Sequence, residues 1–307
     1  MIPFEILIDD AFEDLEPPED LRPVDNKKVL SLVNDFEDGK WRFGRFQSFI
    51  WDNIAETALS ARERASLSQK RQTALVEAAK KLRLIDKPDD SPTEGSELAE
   101  IALYGIMKLH YKALPVVPKI FYKQNNQDYA KGSDSVHIVL HGNDFSVWFG
   151  EAKFYNDISD ARLGSIIKSV QNSLATDKLK KENSIITNVS DLSSLDIDPQ
   201  IVERIKQLLS PDTSIDAIKP KLNIPILLLH ECEITKSHSA MNDSYRNEIR
   251  EFHKDRATKY FAKQIRKLAQ AVNQYSEIKF HILLIPVPCK RTVVSKFLTM
   301  AQMFQDN

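Results

Sequence analysis

Apolar positions recur along this chain in two rhythms. Over residues 26–85 the rhythm is helical: Val29, Leu30, Leu32, Val33 and Phe36 predict one amphipathic helix, and Phe46, Phe49, Ile50, Ile54 and Leu59 a second. A third runs from Thr73 to Leu84. Residues 96–112 predict another helix, with Leu98, Ile101, Ala102, Tyr104, Gly105 and Leu109 on its apolar side, Ser96 as N-cap, and Pro115 and Pro118 closing it. The period then changes to two. Val136, Ile138 and Leu140 alternate, Gly142-Asn143-Asp144 reads as a turn, and residues 145–150 form a second strand, so a β-hairpin is expected. Beyond it come a helix over 160–181, a buried strand over 224–231, a long amphipathic helix over 245–274, a buried strand over 280–287 and a helix over 292–304. Residues 183–220 show no clear period, and there are no internal repeats.

From residue 96 the order helix, strand, strand, helix, strand, helix, strand, helix predicts an α/β fold, a mixed sheet flanked by helices. Turn formers and charges crowd into 87–95 and suggest a division between a mainly helical region, 1–90, and an α/β domain, 91–307. Residues 1–25 carry nine acidic residues and one basic residue, Arg22, which fits a solvated edge strand and loop, or else an acidic surface for a basic partner. The net charge of −2 rules out a global field that draws nucleic acid, so any such surface is local. Cys232 and Cys289 form no CxxC pair, which argues against structural zinc and fits buried thiols in a reducing, cytoplasmic setting. The N-terminus lacks the pattern of a signal peptide, and no apolar run is long enough to span a bilayer. No P-loop, GxGxxG or GxSxG motif is present.

The chemistry concentrates in the hairpin. Glu151 and Lys153 stand two apart on its second strand, so both point to one face, about 6.7 Å apart. Asp134 opens the first strand, and closure at 142–144 brings its carboxylate towards Glu151. Two carboxylates about 5 Å apart repel by roughly 3 kcal/mol at an effective dielectric near 20. A divalent cation offsets that, and Mg²⁺, with Mn²⁺ as a substitute, suits oxygen ligands. Lys153 is placed to orient an attacking water, to stabilise a pentavalent transition state, or, if desolvated, to act as a base. The pattern Asp/Glu-x-Lys occurs four times, at Asp25–Lys27, Asp38–Lys40, Glu151–Lys153 and Glu277–Lys279. Only at Glu151 does it follow a strand partner opened by Gly132-Ser133-Asp134. The plain alternative is a half-exposed hairpin with a surface Glu/Lys pair.

The segments GSDSVHIVLH (132–141) and WFGEAKFY (148–155) resemble the restriction-endonuclease-like, PD-(D/E)xK core. More narrowly, with residues 96–123 leading into them, they resemble the nuclease subunit of the Hachiman anti-phage defence system, the HamA-type proteins. The resemblance is clearest over 94–160 and looser over 220–290. It implies a metal-dependent DNA endonuclease, held in check by a helicase partner, with Asp134 and Glu151 as metal ligands, the Ala152 carbonyl as a third and Lys153 as the catalytic lysine. It also implies an acidic residue from the preceding helix, for which Glu100 is the candidate and Glu97 the substitute. The proline that usually precedes the first aspartate is Ser133 here.

Three further features are candidates. Gln171 sits beside the stripe of Leu163, Ile167, Val170 and Leu174 and is expected to face the sheet. Residues 245–270 hold eight Lys/Arg against three Asp/Glu, and Arg246, Arg250, Lys254, Lys263, Arg266 and Lys267 fall largely off the apolar face, where they could track a phosphate backbone. Lys178, Lys180 and Lys181 form a smaller cluster. His137 and His141 share a strand face; His137, near Asp134, could support a metal ligand from behind, but a plain strand-surface role is expected. His230-Glu231-Cys232 lacks the P-C-x-x-C of a zinc deaminase. A non-catalytic nucleic-acid-binding adaptor with the same fold, or an RNase with the same core, are the alternatives to a DNase. Residues 1–90 are expected to contact the partner.

Overall fold

The computed structural model describes residues 1–83, 95–114, 116–124, 133–188 and 197–306. Six strands form one mixed sheet: β1 (Glu5–Ala11), β2 (Lys27–Val33), β5 (Ser135–His141), β6 (Asp144–Tyr155), β7 (Leu222–Glu231) and β8 (Lys279–Val287). Their order across the sheet is β1-β2-β8-β7-β6-β5. The four central strands run parallel, and β1 and β5 close the edges antiparallel to their neighbours. A short separate ribbon pairs β3 (Phe36–Glu37) with β4 (Lys40–Trp41).

Helices cover both faces. One face holds α1 (Phe43–Ala58), α3 (Arg71–Lys80), α4 (Ser96–Leu109) and α12 (Lys290–Gln305), packed on Leu30, Leu32, Ala152, Phe154, Leu227, Leu229, Leu283 and Ile285. The other holds α6 (Asp160–Ser173), α7 (Thr176–Asn188), α8 (Pro199–Leu208) and α11 (Asp243–Leu268), packed on Val29, Val147, Phe149, Ile226, Leu228, Ile282 and Leu284. Both faces of the central strands are buried, so β7 and β8 carry continuous apolar runs, at 224–229 and 282–287. Among the described residues, no helix is long and apolar enough to cross a membrane.

Three expectations need correction. The segment 27–33 is a strand, not a helix: β2 lies between β1 and β8, with Val29 and Leu30 buried on opposite faces. Residues 5–33 therefore build one flank of the common sheet, and the α-helices of the N-terminal region begin only at Phe43. The turn-rich stretch 87–95 lies outside the described residues except for Gly95. That glycine, at φ 73°, is itself the N-cap of α4, and Ser96 is the first helical residue. The single helix expected over 160–181 is two, broken after Ser173 and resumed at Thr176.

α4 is buried almost all round because it lies between the sheet and α1. Gly105 permits that: a Cβ there would come within 2.6 Å of the Phe49 ring. This packing sets α4 behind the hairpin.

Candidate active site

The hairpin forms as expected, with Ser135 opposite Gly150 and His141 opposite Asp144. β6 then continues past the end of β5 to Tyr155, paired on its other edge with β7. Asp134 fills the position that β5 vacates. Its backbone N–H donates to the Gly150 carbonyl at 2.7 Å, and its Oδ2 accepts the Ala152 N–H at 3.0 Å. The carboxylate thus extends the ladder by one rung. A strand residue sends its N–H and C=O to the same edge, so the Ala152 carbonyl emerges on this edge too. Gly150 is required by space: a Cβ there would meet Ser135 Oγ at 2.3 Å and Leu103 Cδ2 at 2.7 Å.

The three side chains converge. Lys153 Nζ lies 3.1 Å from Asp134 Oδ2 and 3.2 Å from Glu151 Oε2. Their side chains are 25%, 15% and 7% exposed respectively, a site shielded from bulk screening but open at one side. Burial raises the pKa of Glu151, and the Asp134 charge raises it further, against the opposing pull of Lys153 and Ser169. Burial alone would lower the pKa of Lys153, but the charges and hydrogen bonds of Asp134 and Glu151 outweigh it and hold the ammonium above its usual range. Two carboxylates already share one cation here, so the donor set fits a divalent ion at the same place. Among the described residues no three His, Cys, Asp or Glu side chains group tightly enough to hold a metal. An ion here would therefore rest on two carboxylates, the Ala152 carbonyl and solvent or substrate oxygens.

The other three Asp/Glu-x-Lys matches have no such setting. Lys27 is buried under the Tyr275 ring with its ammonium on the Pro23 carbonyl and Asn26 Oδ1, while Lys40 and Lys279 are exposed.

Sequence reasoning missed the residues that hold this centre. Ser169 on α6 donates its hydroxyl to Glu151 Oε2 at 2.8 Å. Gln171, expected to face the sheet, is exposed; the chain turns Ser169 inward on the other edge of the same stripe. Glu182 on α7 is 1% exposed, accepts the Ser133 N–H at 2.6 Å and pairs with Lys119 at 2.7 Å. A cleft of about 280 Å³ opens beside the centre, lined by Ser133, Glu151, Ser169, Asn172, Ser173, Lys178 and Glu182. The break between α6 and α7 brings Lys178 and Glu182 to it. Pairing signals of this kind, between residues 49 apart, are invisible in local periodicity.

Glu100 and Glu97 separate cleanly. Glu97 accepts the Arg83 N–H, away from the hairpin. Glu100 is buried and borders the same small cavity as Asp134, although α4 lies on the opposite face from Glu151 and Lys153. His137 is not a surface residue. It is buried against Tyr104, and burial pushes its pKa down to about 3. His230 is buried too, its Nε2 3.1 Å from that of His253, so it contributes no exposed deaminase-like ligand. Cys232 is buried and Cys289 half-buried, both as free thiols.

The basic stripe of α11 is largely spent inside the molecule. Arg246 pairs with Glu5, Arg250 reaches the Leu7 carbonyl and Asn247, Lys254 faces Glu251, and Lys263 donates to the Asp160 carbonyl. Arg266 and Lys267, at the end of the helix, stay exposed.

A family model described as HamA matches residues 9–301, so the match takes in β1 and β2 as well as the hairpin. No curated protein matches the chain. With nearly its whole length covered, this chain belongs to the HamA family, the family of a subunit of the Hachiman anti-phage defence system.

Proposed function

We propose that this subunit is a divalent-metal-dependent DNA endonuclease, the effector of its defence system, with Asp134, Glu151 and Lys153 at its catalytic centre. The observation that carries the reading is the convergence of two buried carboxylates on one ammonium at 3.1 and 3.2 Å, at the end of a hairpin and beside a cleft lined by polar residues. A bound Mg²⁺ or Mn²⁺ supplies Lewis acidity and lowers the pKa of water. Asp134 and Glu151 would hold it, with the Ala152 carbonyl. Lys153 keeps a positive charge beside the phosphate position, where negative charge grows in the transition state. Ser169 fixes Glu151 by donating to its Oε2 at 2.8 Å, which would orient the carboxylate for an ion. Glu100, bordering the Asp134 cavity, is the acidic residue from the preceding helix.

Membership of the HamA family supports a helicase partner in the same defence system that feeds or releases the nuclease, and the sequence carries no P-loop of its own. Exposed Arg266 and Lys267 are the residues of the α11 stripe best placed to meet phosphates.

The test is cleavage of linear and circular DNA, with RNA in parallel, in Mg²⁺, Mn²⁺ or EDTA. Glu151→Gln and Lys153→Met should each lose activity by about two orders of magnitude or more while keeping the fold. Cleavage that survives both substitutions, or EDTA, removes the reading in favour of a non-catalytic adaptor or another site. Cleavage of RNA alone transfers the same chemistry to an RNase.

A further inference from the structure

Glu182 and Lys119 form an ion pair that is 1% and 4% exposed on its two side chains. Such a pair is expensive to bury, and apolar residues of equal volume commonly serve stability as well or better. Its presence asks for another reason, and the hydrogen bonds supply one. Glu182 uses both carboxylate oxygens: Oε2 takes the Lys119 ammonium and Oε1 takes the Ser133 N–H. The next amide, that of Asp134, donates to the Gly150 carbonyl. Two successive amides are thereby fixed from two sides, one by α7 and one by the hairpin. The Asp134 carboxylate hangs from that fixed dipeptide, and Ser133 is itself buried, 1% exposed.

We propose that Glu182, steadied by Lys119, is a positioning residue for Asp134: it holds the Ser133 amide so that the Asp134 carboxylate is aimed at the cation site before any ion arrives. The inference rests on the metal-dependent reading above. Glu182 touches neither ion nor substrate in this scheme. It acts by lowering the cost of ordering a ligand, and groups that orient metal ligands typically govern about 10–100-fold in metal affinity. The Lys119 ammonium, 2.7 Å from Oε2, directs the Glu182 carboxylate, and an ionised acceptor holds an amide more strongly than a neutral one.

The experiment is titration of the full chain with Mn²⁺, followed by calorimetry and by electron paramagnetic resonance of free ion. Melting in EDTA serves as a separate measure of the fold. The charge-free pair Lys119→Met/Glu182→Leu removes the acceptor for Ser133 N–H. It should melt cooperatively yet bind Mn²⁺ about 10-fold or more weakly. Lys119→Met/Glu182→Gln restores an amide oxygen at the same place and should recover most of that affinity. A purely structural pair predicts the reverse: melting changes and Mn²⁺ affinity does not. Unchanged affinity in the folded leucine pair overturns the inference. Should the leucine pair fail to fold, the glutamine pair decides, and a loss as large as that of Asp134→Asn overturns it. If the unaltered chain takes up no Mn²⁺, the metal-dependent reading fails and takes this inference with it. If the unaltered chain binds and both pairs bind equally, only the inference fails.

Discussion

Replacing Lys153 by methionine keeps the aliphatic stem and removes one charge from between two others. The ammonium sits 3.1 and 3.2 Å from oxygens of Asp134 and Glu151, so those oxygens lie within about 6.3 Å of each other, the sum of the two contacts. At an effective dielectric near 20, two charges at that separation repel by about 2.6 kcal/mol, and by more if they are closer. The side chains are at most a quarter exposed, so solvent screens little of this. The ammonium also costs desolvation, which the substitution returns. The stranded carboxylates can relieve themselves by taking up a proton, and Glu151, its pKa already raised by burial, is the one to do so. The balance points to a loss of about 2–4 kcal/mol in the absence of metal, in line with the typical cost of removing one partner of a buried pair. For a chain of this size that corresponds to a fall of roughly 3–6 °C in melting temperature. The assay is melting of both proteins in EDTA and in excess Mg²⁺ or Mn²⁺. The variant should be the less stable in EDTA and should gain more than the unaltered chain from the ion, which takes over the missing charge. Equal stability in EDTA, together with an equal gain from the ion, would refute the reasoning that the two carboxylates share one cation.

Gly150→Ala forces a Cβ to within 2.3 Å of Ser135 Oγ. It should cost about 1–3 kcal/mol in urea denaturation and disturb the strand just ahead of Glu151. Four buried histidines predict acid lability. Burial pushes His137 and His281 down to about 3 and His230 to about 4, and His253 also lies well below its usual value. Below the unfolded pKa of about 6.5 the unfolded chain binds more protons than the folded one, so stability is full above that pH and is lost as pH falls towards the folded values, by up to about 1.4 kcal/mol per unit for each group. Melting temperature should therefore drop steeply between about pH 6.5 and 5; a flat profile there contradicts the buried neutral assignments. Finally, Arg266→Glu with Lys267→Glu should weaken DNA binding and shallow its salt dependence by roughly two charges' worth. Arg250→Ala, whose guanidinium is held by the Leu7 carbonyl and Asn247, should leave the salt slope nearly unchanged.

The hairpin was legible because its signals are local. Period two, a Gly-Asn-Asp turn and an acidic residue at the first strand's start suffice to bring Asp134, Glu151 and Lys153 together. β2 was misread for a physical reason. As an inner strand buried on both faces, its Val29, Leu30, Leu32 and Val33 form a run with no alternation, and such a run suits a helix equally well. The break between α6 and α7 carries no Gly or Pro, so Lys178 and Glu182 could not be placed. Ser169 and Gln171 flank the same apolar stripe, and periodicity locates the stripe without saying which edge meets β6. The buried Glu182–Lys119 pair depends on packing between α7 and α5 (Lys119–Gln124), which no short window contains. The family match from residue 9 fits the fold: the acidic N-terminal strand is part of the common sheet.

The most direct measurement is anomalous diffraction from crystals of this chain soaked in Mn²⁺, beside the same soak of Glu151→Gln. The account predicts Mn²⁺ density between the carboxylates of Asp134 and Glu151 in the unaltered protein, with the Lys153 ammonium moved aside, and its loss or marked weakening in the variant. Mn²⁺ bound elsewhere, or bound equally well without the Glu151 charge, would contradict it.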